Sequence, residues 1–315
     1  MLLSLVMPCF NEAENVDAMH DAILAAFEGC GFAYELVFVD DGSRDGTFGR
    51  LCALRERSAL PIRLLRFSRN FGKESAIYAG LSHAKGAYVT LIDADLQQPP
   101  ALALEMLRHL ERHPEEDCVA AFQERRHEGK GIVFLKKAFY RLMNRMTEIE
   151  FVQGASDFRT MRRSMVDAIL SMGEHNRFSK GIFSWVGFRT HYIPYSARER
   201  NAGSTKWSTW KLFKYAFDGI VSFTTMPLRL ASFAGVGASL ASIVYMLVVV
   251  IQKLFFQIDV PGYATLAVLI LLLGGIELFS LGILGEYLAK TYVESKRRPI
   301  YLTREVLEPK QEKAQ

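Results

Sequence analysis

The sequence predicts a Rossmann-like, mostly parallel α/β sheet followed by a transmembrane hairpin of two helices. Residues 1–122 alternate short β-branched runs with helical segments, which is typical of a parallel sheet with helices on both faces. Further along, Leu230–Ile251 and Ala264–Gly285 are 22 residues each and contain one charge between them, at Glu277. Because a helix needs about 20 residues to cross a bilayer, both segments are predicted to span one.

Five apolar runs are predicted as buried strands, and the segments between them as helices. The strands are Leu2–Met7, Tyr34–Asp40, Ile62–Phe67, Ala87–Ile92 and Cys118–Phe122. The helices are Ala13–Glu28, Thr47–Arg57, Lys73–Ala84 and Ala101–Arg112. Polar residues stand at the ends of three strands, namely Asn11-Glu12, Asp40-Asp41-Gly42 and Asp93-Ala94-Asp95. Ligands of such sheets bind at the carboxyl ends of the strands, so these residues predict a ligand site.

Composition excludes several classes of protein. Of the 315 residues, 50% are hydrophobic and 23% are charged, and the mean hydropathy is +0.09. Together with the two apolar segments, these values exclude a purely soluble enzyme, a disordered protein and a collagen-like fibre. The net charge is only +4, and no basic helix or RNA-binding motif is present, so no nucleic-acid partner is expected.

The cysteines and histidines predict neither a disulfide framework nor a zinc site. The four cysteines contain no CxxC pair and have no histidine at zinc-ligand spacing; they are Cys9, Cys30, Cys52 and Cys118. We expect reduced thiols in a cytosolic domain. The seven histidines are expected not to cluster as metal ligands.

Basic residues flank the two predicted spans on one side of the membrane. They are Lys211, Lys214 and Arg229 before the first span, and Lys290, Lys296, Arg297 and Arg298 after the second. The connecting loop has only Lys253 and Asp259. The positive-inside rule therefore places both ends in the cytoplasm. We expect a multi-pass protein of the plasma membrane with a cytoplasmic catalytic domain and no secretory signal.

Four regions are expected along the chain. Residues 1–206 form the sheet domain, 207–229 amphipathic helices, 230–288 the two spans, and 289–315 a cytoplasmic tail that ends as a short flexible segment. Val133–Asn144 and Trp207–Phe223 are rich in Lys, Arg and aromatic residues at helical spacing. Each is either an ordinary packed helix or a helix in the bilayer interface.

Asp93 and Asp95 are candidate metal ligands. Two carboxylates two residues apart at a strand end can share a hard divalent cation, with substrate phosphate oxygens completing the coordination shell. A lone DxD is a weak signal, because a helix cap or a loop acid gives the same pattern. The motif gains weight only from others in the chain.

Those other motifs are present, and with them the chain resembles family 2 glycosyltransferases of the GT-A fold. The resemblance is closest to the polyprenyl-phosphate type, which includes dolichol-phosphate mannose synthase and bactoprenol glucosyltransferases. It covers almost the whole chain. The motifs are Pro8–Glu12, Val39–Thr47, Arg69–Glu74, Gly154–Arg159 and Arg200–Trp207.

The resemblance implies a role for each matching residue. The nucleoside is held by residues matching Pro8, Phe10, Glu12, Val39 and Asp41, and Lys73 belongs to the same donor site. The residues matching Asp93, Ala94, Asp95 and Gln97 form the diphosphate site, with Asp93, Asp95 and Gln97 binding Mg²⁺ or Mn²⁺. Arg200 and Lys206 match a basic pair over the phosphates, although membrane-surface anchoring is an alternative. Asp157 matches an acid near the acceptor phosphate.

One departure concerns the phosphate contact after the fifth strand. Where many relatives have Arg, this chain has Gln123, followed by Glu124, Arg125 and Arg126. Either arginine could replace the missing one, or the acceptor loop differs.

The expected activity is inverting transfer of a sugar from a nucleotide-sugar to undecaprenyl phosphate. Glucose from UDP-glucose is the first expectation; mannose, galactose, an N-acetylhexosamine or an aminoarabinose derivative stay open. A processive polysaccharide synthase is disfavoured because no Q-x-x-R-W motif is present. A non-catalytic membrane scaffold is disfavoured by the intact Asp93, Asp95, Asp157 and Lys206.

Small residues in the second span predict close helix packing. Gly274, Gly275, Gly282 and Gly285 allow helices to approach within the hairpin and between subunits, so a homo-oligomer is expected. Glu277 is interpreted as a hydrogen-bonding group between helices, with a role near the lipid carrier as the alternative.

Overall fold

The architecture is taken from a computed structural model, which describes residues 2–123, 152, 154–196, 221, 224–256 and 262–310. Its residues fall into two compact units. The first comprises residues 1–209 and 298–315, and the second comprises residues 210–297. The predicted interfacial helices Val133–Asn144 and Trp207–Phe223 lie outside the described residues, apart from Val221.

The first unit begins with alternating strands and helices, as predicted. The strands are β1 (Leu2–Cys9), β2 (Ala33–Asp40), β3 (Ile62–Phe67), β4 (Tyr88–Leu91) and β5 (Cys118–Gln123). The helices between them are α1 (Val16–Phe27), α2 (Thr47–Arg57), α3 (Lys73–His83) and α4 (Pro100–Arg112). Strands β1, β2, β3 and β4 pair in parallel, which confirms the mostly parallel α/β sheet.

Four further elements of this unit come after the gap between the described residues 123 and 154, in which only residue 152 is described. They are β6 (Ala155–Arg162), α5 (Arg163–Ser171), α6 (Ser179–Trp185) and β7 (Thr190–Tyr195). Strand β6 is antiparallel to both of its neighbours, β4 and β5, while β7 is parallel to β5. The first residues of β6 therefore lie at the edge of the sheet where β4 ends. This edge is called the carboxyl edge below, and the opposite one the amino edge.

One further strand of the sheet comes from the region predicted as the cytoplasmic tail. Residues Thr303–Leu307 form β8, which pairs antiparallel with β3 and completes the order β7-β5-β6-β4-β1-β2-β3-β8. The guanidinium of buried Arg63 on β3 contacts Glu308, just beyond β8, and adds a charged contact to the strand pairing. The chain thus returns to the sheet after the apolar helices.

Side chains of the parallel strands alternate between two apolar layers. Leu3, Leu5 and Met7 of β1 pack in one core cluster with residues of α1, α2 and α4. On the other face α3 lies very close to the sheet, since a Cβ added to Gly80 would be 2.2 Å from Val6 Cγ1. Only glycine fits there, and the close packing fixes the position of α3.

The second unit consists of two long apolar helices, α7 (Met226–Phe256) and α8 (Tyr263–Ser295). They contain segments long and apolar enough to cross a membrane, Met226–Gln252 and Val268–Ser295, each with an 18-residue stretch of mean hydropathy 2.3. The side chain of Glu277 is exposed, and no partner for it is found among the described residues, so the expected interhelical hydrogen bond is not seen.

Candidate active site

The loops after β1 and β2 are joined by hydrogen bonds at the carboxyl edge. Asn11 adopts a left-handed conformation (φ 58°), and its backbone N–H donates to Ser43 Oγ at 2.9 Å. The backbone N–H of Glu12 donates to Thr47 Oγ1 at 2.9 Å. The Asn15 side-chain amide donates to the Glu12 carboxylate at 2.6 Å. These bonds hold the backbone and the carboxylate of Glu12 in place at the carboxyl edge.

Asp41 holds the loop after β3 against the loops after β1 and β2. Its carboxylate oxygens accept the backbone N–H groups of Phe71 at 2.6 Å and Gly72 at 2.9 Å. Gly42 beside it has φ 70°, and a Cβ there would lie 2.6 Å from the carbonyl carbon of Arg69. Both the conformation and the close approach require glycine at this position.

The partners of Asp41 offset only part of its desolvation. Burial raises the pKa of Asp41 to about 6, although the N–H groups of Phe71 and Gly72 act to lower it. The neighbouring Asp40 carboxylate raises the pKa further. Asp41 is therefore mostly ionised at neutral pH, but it titrates closer to neutrality than an ordinary carboxylate.

Lys73, the first residue of α3, joins two carboxylates at the same edge. Its Nζ lies 2.7 Å from Asp93 Oδ1 and 3.0 Å from Asp157 Oδ2. Removal from water would lower the pKa of Lys73, but the two carboxylates outweigh this and raise it above its usual value. Lys73, Asp93 and Asp157 are called the charge cluster below.

Strand pairing explains how these distant residues meet. Leu91 of β4 pairs with Arg159 of β6 in antiparallel register, so Asp93, after β4, lies near Asp157, at the start of β6. Burial acts to raise the pKa of Asp157, but Lys73 and Lys180 outweigh it and hold this pKa well below its usual range. Asp157 is therefore ionised at any physiological pH.

A buried amide orients Asp93. Gln98 Oε1 accepts the backbone N–H of Asp93 at 2.9 Å, and Gln98 Nε2 donates to Asp93 Oδ2 at 3.1 Å. Asp95 Oδ1 accepts the backbone N–H of Gln97 at 3.2 Å. The side chains of Asp93, Asp95 and Gln97 are all partly exposed at the sheet edge. They offer only oxygen atoms as ligands, which fits a hard divalent cation such as Mg²⁺ or Mn²⁺.

Sequence reasoning missed three residues around the charge cluster. Besides Gln98, they are Glu74, which accepts hydrogen bonds from the backbone and hydroxyl of Ser179, and Lys180. Burial raises the pKa of Glu74, and the charge of Asp157 adds to that effect. Both Ser179 and Lys180 lie on α6, a short helix with no motif to signal it.

The remaining predicted site residues differ in how far their side chains are exposed to a ligand. The side chains of Val39 and Ala94 are buried, so only their backbone atoms are available to a ligand. Phe10 is 43% exposed, which leaves its ring free to pack on a base. Pro8 lies in β1 and is partly exposed. Arg125, Arg126, Arg200 and Lys206 lie outside the described residues.

Comparisons with known proteins agree with these features. Residues 4–170 match the family described as Glycosyl transferase family 2. The chain is 40% identical over 304 residues to the putative glycosyltransferase CsbB of Bacillus subtilis (strain 168), covering 96% of this chain and 92% of that protein. It is 39% identical over 305 residues to the bactoprenol glucosyl transferase of Shigella phage SfV, covering 96% and 98%.

Among solved structures, mannosyl-3-phosphoglycerate synthase from Rubrobacter xylanophilus is 18% identical, with a TM-score of 0.49 over 70% of this chain and 72% of that one. The resemblance to family 2 glycosyltransferases with a GT-A-like α/β sheet is confirmed by the family match and the two near-full-length relatives. The chain belongs to glycosyl transferase family 2 and is a glycosyltransferase close to the bactoprenol glucosyl transferases.

Proposed function

We propose that this enzyme transfers glucose from UDP-glucose to undecaprenyl phosphate, with inversion, at the cytoplasmic face of the plasma membrane. The observation that carries the proposal is the charge cluster beside Asp95, in a chain 39% identical over 96% of its length to a bactoprenol glucosyl transferase. The carboxyl edge then binds two anionic substrates side by side.

The nucleoside would bind on the β1–β2 side of this edge. The exposed ring of Phe10 offers a face for the base, and the fixed carboxylate of Glu12 can accept ribose hydroxyl groups. Each Asp41 oxygen accepts one backbone N–H and keeps a further lone pair for an N–H group of the base. Pro8 and the backbone of Val39 line the same side.

The diphosphate would bind at Asp93, Ala94, Asp95 and Gln97. A divalent cation held by Asp93, Asp95 and Gln97 would neutralise charge on the leaving diphosphate. Arg200 and Lys206 are proposed to act on the same phosphates, as their family motif implies. Lys73 contacts Asp93 directly. When the donor binds, the Lys73 side chain would therefore move away from that carboxylate or share it with the cation.

Asp157 is proposed to orient cations rather than act as a base. The second pKa of a phosphate monoester is near 6, so the acceptor is mostly a dianion at pH 7 and needs no deprotonation. Asp157 itself is ionised, and its charge would repel the acceptor without Lys73 and Lys180. Those two cations offset that repulsion. Attack opposite the departing diphosphate inverts the anomeric centre, giving a β-linked product from an α-linked donor.

The apolar helices would anchor the enzyme at the membrane that contains its acceptor. We propose that α7 and α8 span the bilayer with both chain ends in the cytoplasm. The glycines of α8 would let copies of the chain approach closely in a homo-oligomer. The close packing expected within the hairpin is not seen at these positions, since a Cβ added at Gly274, Gly275, Gly282 or Gly285 meets no described atom within 4 Å. A fully active, detergent-solubilised particle of monomer mass would contradict the oligomer.

A screen of nucleotide-sugars against undecaprenyl phosphate tests the proposed function. The purified enzyme is given one donor at a time, and the lipid product is identified by mass. We expect a hexosyl-phosphoundecaprenol with UDP-glucose and no product with the Asp95→Ala control. A product only with a GDP-mannose or aminoarabinose donor would overturn the donor assignment. Absence of a lipid product with every donor would overturn the proposed function itself.

A further inference from the structure

Three potential metal ligands come together at the amino edge of the sheet, opposite the charge cluster. His109 lies near the end of α4, Glu116 in the turn before β5, and His191 near the start of β7. Contrary to expectation, two of the histidines therefore lie together with a carboxylate in an arrangement that could hold a metal ion. The residues are distant in sequence, and the parallel pairing that places His191 opposite Val119 brings them together.

The three side chains converge on one point. Each offers one ligand atom, and these atoms all lie within 4.8 Å of one another. The Glu116 carboxylate contacts both imidazoles, at 2.6 Å from His109 Nε2 and 3.5 Å from His191 Nδ1. The rings of His109 and His191 stack with their centroids 4.2 Å apart. Two imidazole nitrogens and one carboxylate oxygen form a donor set that Zn²⁺ accepts, with water in the fourth position.

The backbone that carries these ligands is held in place by Arg162. Its guanidinium donates to the carbonyl oxygens of Leu110, His113 and Glu116, and to the hydroxyl of Tyr88. These bonds tie the end of α4 and the following turn to the sheet. The same bonds keep Arg162 at the amino edge, opposite the charge cluster. Arg162 therefore cannot be one of the cations that offset the negative charge of Asp157.

Only a small closure is needed to bind an ion. Zinc ligands lie about 2.0–2.2 Å from the metal, which separates ligand atoms in a tetrahedron by about 3.4 Å. The separations, which are at most 4.8 Å, must therefore shrink by no more than about 1.4 Å, which side-chain rotation can supply. The side chains of His109, Glu116 and His191 are 20%, 21% and 41% exposed, so an ion can reach them from solvent.

We propose that His109, Glu116 and His191 form a Zn²⁺ site that links α4, the turn after it and the edge strand β7. Among the described strands, β7 is the last at this end of the sheet, and its one neighbour there is β5. A bound ion would secure the start of β7. From the other end of this strand, the chain continues toward Arg200 and Lys206. The site is separate from the oxygen ligands at the carboxyl edge and does not depend on the proposed function.

Zinc binding by the metal-free, full-length protein in detergent tests the site. Zn²⁺ is titrated in competition with a chromophoric chelator, and Co²⁺ is used as a spectroscopic probe of tetrahedral coordination. The variants are His191→Gln and Glu116→Gln. The controls are His83→Gln, which removes a histidine elsewhere in the fold, and Asp95→Asn, which removes a ligand at the carboxyl edge. Melting curves without metal compare the folding of all variants.

We expect one Zn²⁺ per chain, with affinity at least about tenfold weaker in both ligand variants and unchanged in both controls. Added Zn²⁺ should raise the Tm of the wild type and of the controls, but not that of His191→Gln. Three results would overturn the site: wild-type binding weaker than about 10 µM, equal affinity in the ligand variants and wild type, or loss of binding in Asp95→Asn alone.

Discussion

Asp41 and Asp157 both lie at the carboxyl edge of the sheet, yet their carboxylates have different partners. Asp41 is held by the backbone N–H groups of Phe71 and Gly72, and burial raises its pKa to about 6. Asp157 is held by the ammonium of Lys73, with Lys180 nearby, and its pKa is well below the usual range.

The difference indicates which kind of ligand suits the Asp41 side of the carboxyl edge and which suits the β4–β6 side. Neutral dipoles position the Asp41 carboxylate and join three loops, but they do not offset the cost of burying its charge. The positive charges of Lys73 and Lys180 outweigh burial at Asp157 and keep that carboxylate ionised. The first side is therefore suited to recognising a neutral nucleoside, and the second to handling phosphate charge.

The largest expected effect comes from removing the carboxylate of Asp95, which is proposed to bind the divalent cation. Asp95→Ala should lower the rate of sugar transfer by more than about 1000-fold, because charge on the leaving diphosphate is no longer offset. EDTA should abolish transfer by the wild type, and added Mg²⁺ or Mn²⁺ should restore it. His191→Gln is the matched control and should keep the same dependence on Mg²⁺. Full turnover in EDTA would contradict the metal site at Asp93 and Asp95.

Asp157→Asn should also abolish nearly all transfer, and its pH profile sharpens the comparison. Because Asp157 is already ionised, the loss should stay constant between about pH 6 and 8.5. Steady-state rates of variant and wild type across that range provide the measurement. A variant rate that recovers strongly as pH rises would instead indicate a base that deprotonates the monoanionic acceptor.

Removing the shared cation should have a smaller effect. Lys73→Met leaves Asp93 and Asp157 without the ammonium that lies within 3.0 Å of both, and we expect kcat to fall about 100-fold. Lys73→Arg keeps the charge and should recover most of the rate. Lys85→Met, an exposed lysine elsewhere, is the control for losing one positive charge. An unimpaired Lys73→Met enzyme would show that the cluster does not need its cation.

The sequence predicted much of this edge, but not its internal partners. Predicted bounds for β3 and α2 agree with the structure, because turn-forming residues precede both segments, namely Pro61 before β3 and Asp45-Gly46 before α2. Strand β8 was missed since most of its side chains are exposed, so its sequence has no apolar pattern. The contact of Lys73 with Asp157 spans 84 residues and depends on the antiparallel insertion of β6, which no local pattern indicates.

The smallest expected effect concerns stability and comes from Asp41. Its pKa is near 3.8 in the unfolded chain and about 6 in the folded one, so the folded state binds more protons between these values. The Asp41 contribution to the free energy of unfolding should therefore fall as pH rises from about 4 to 6 and stay constant above, by on the order of 2 kcal/mol.

Asp41→Asn isolates this contribution, because other carboxylates titrate equally in both proteins. Asn cannot accept both backbone N–H groups, so the variant should be less stable at every pH. The gap in Tm between wild type and variant should nevertheless narrow as pH rises through 6, since only the wild type has a buried charge to desolvate. Thermal denaturation from pH 4 to 8 provides the measurement. A gap that widens with pH would mean that the two N–H groups outweigh burial, which would make Asp41 resemble Asp157.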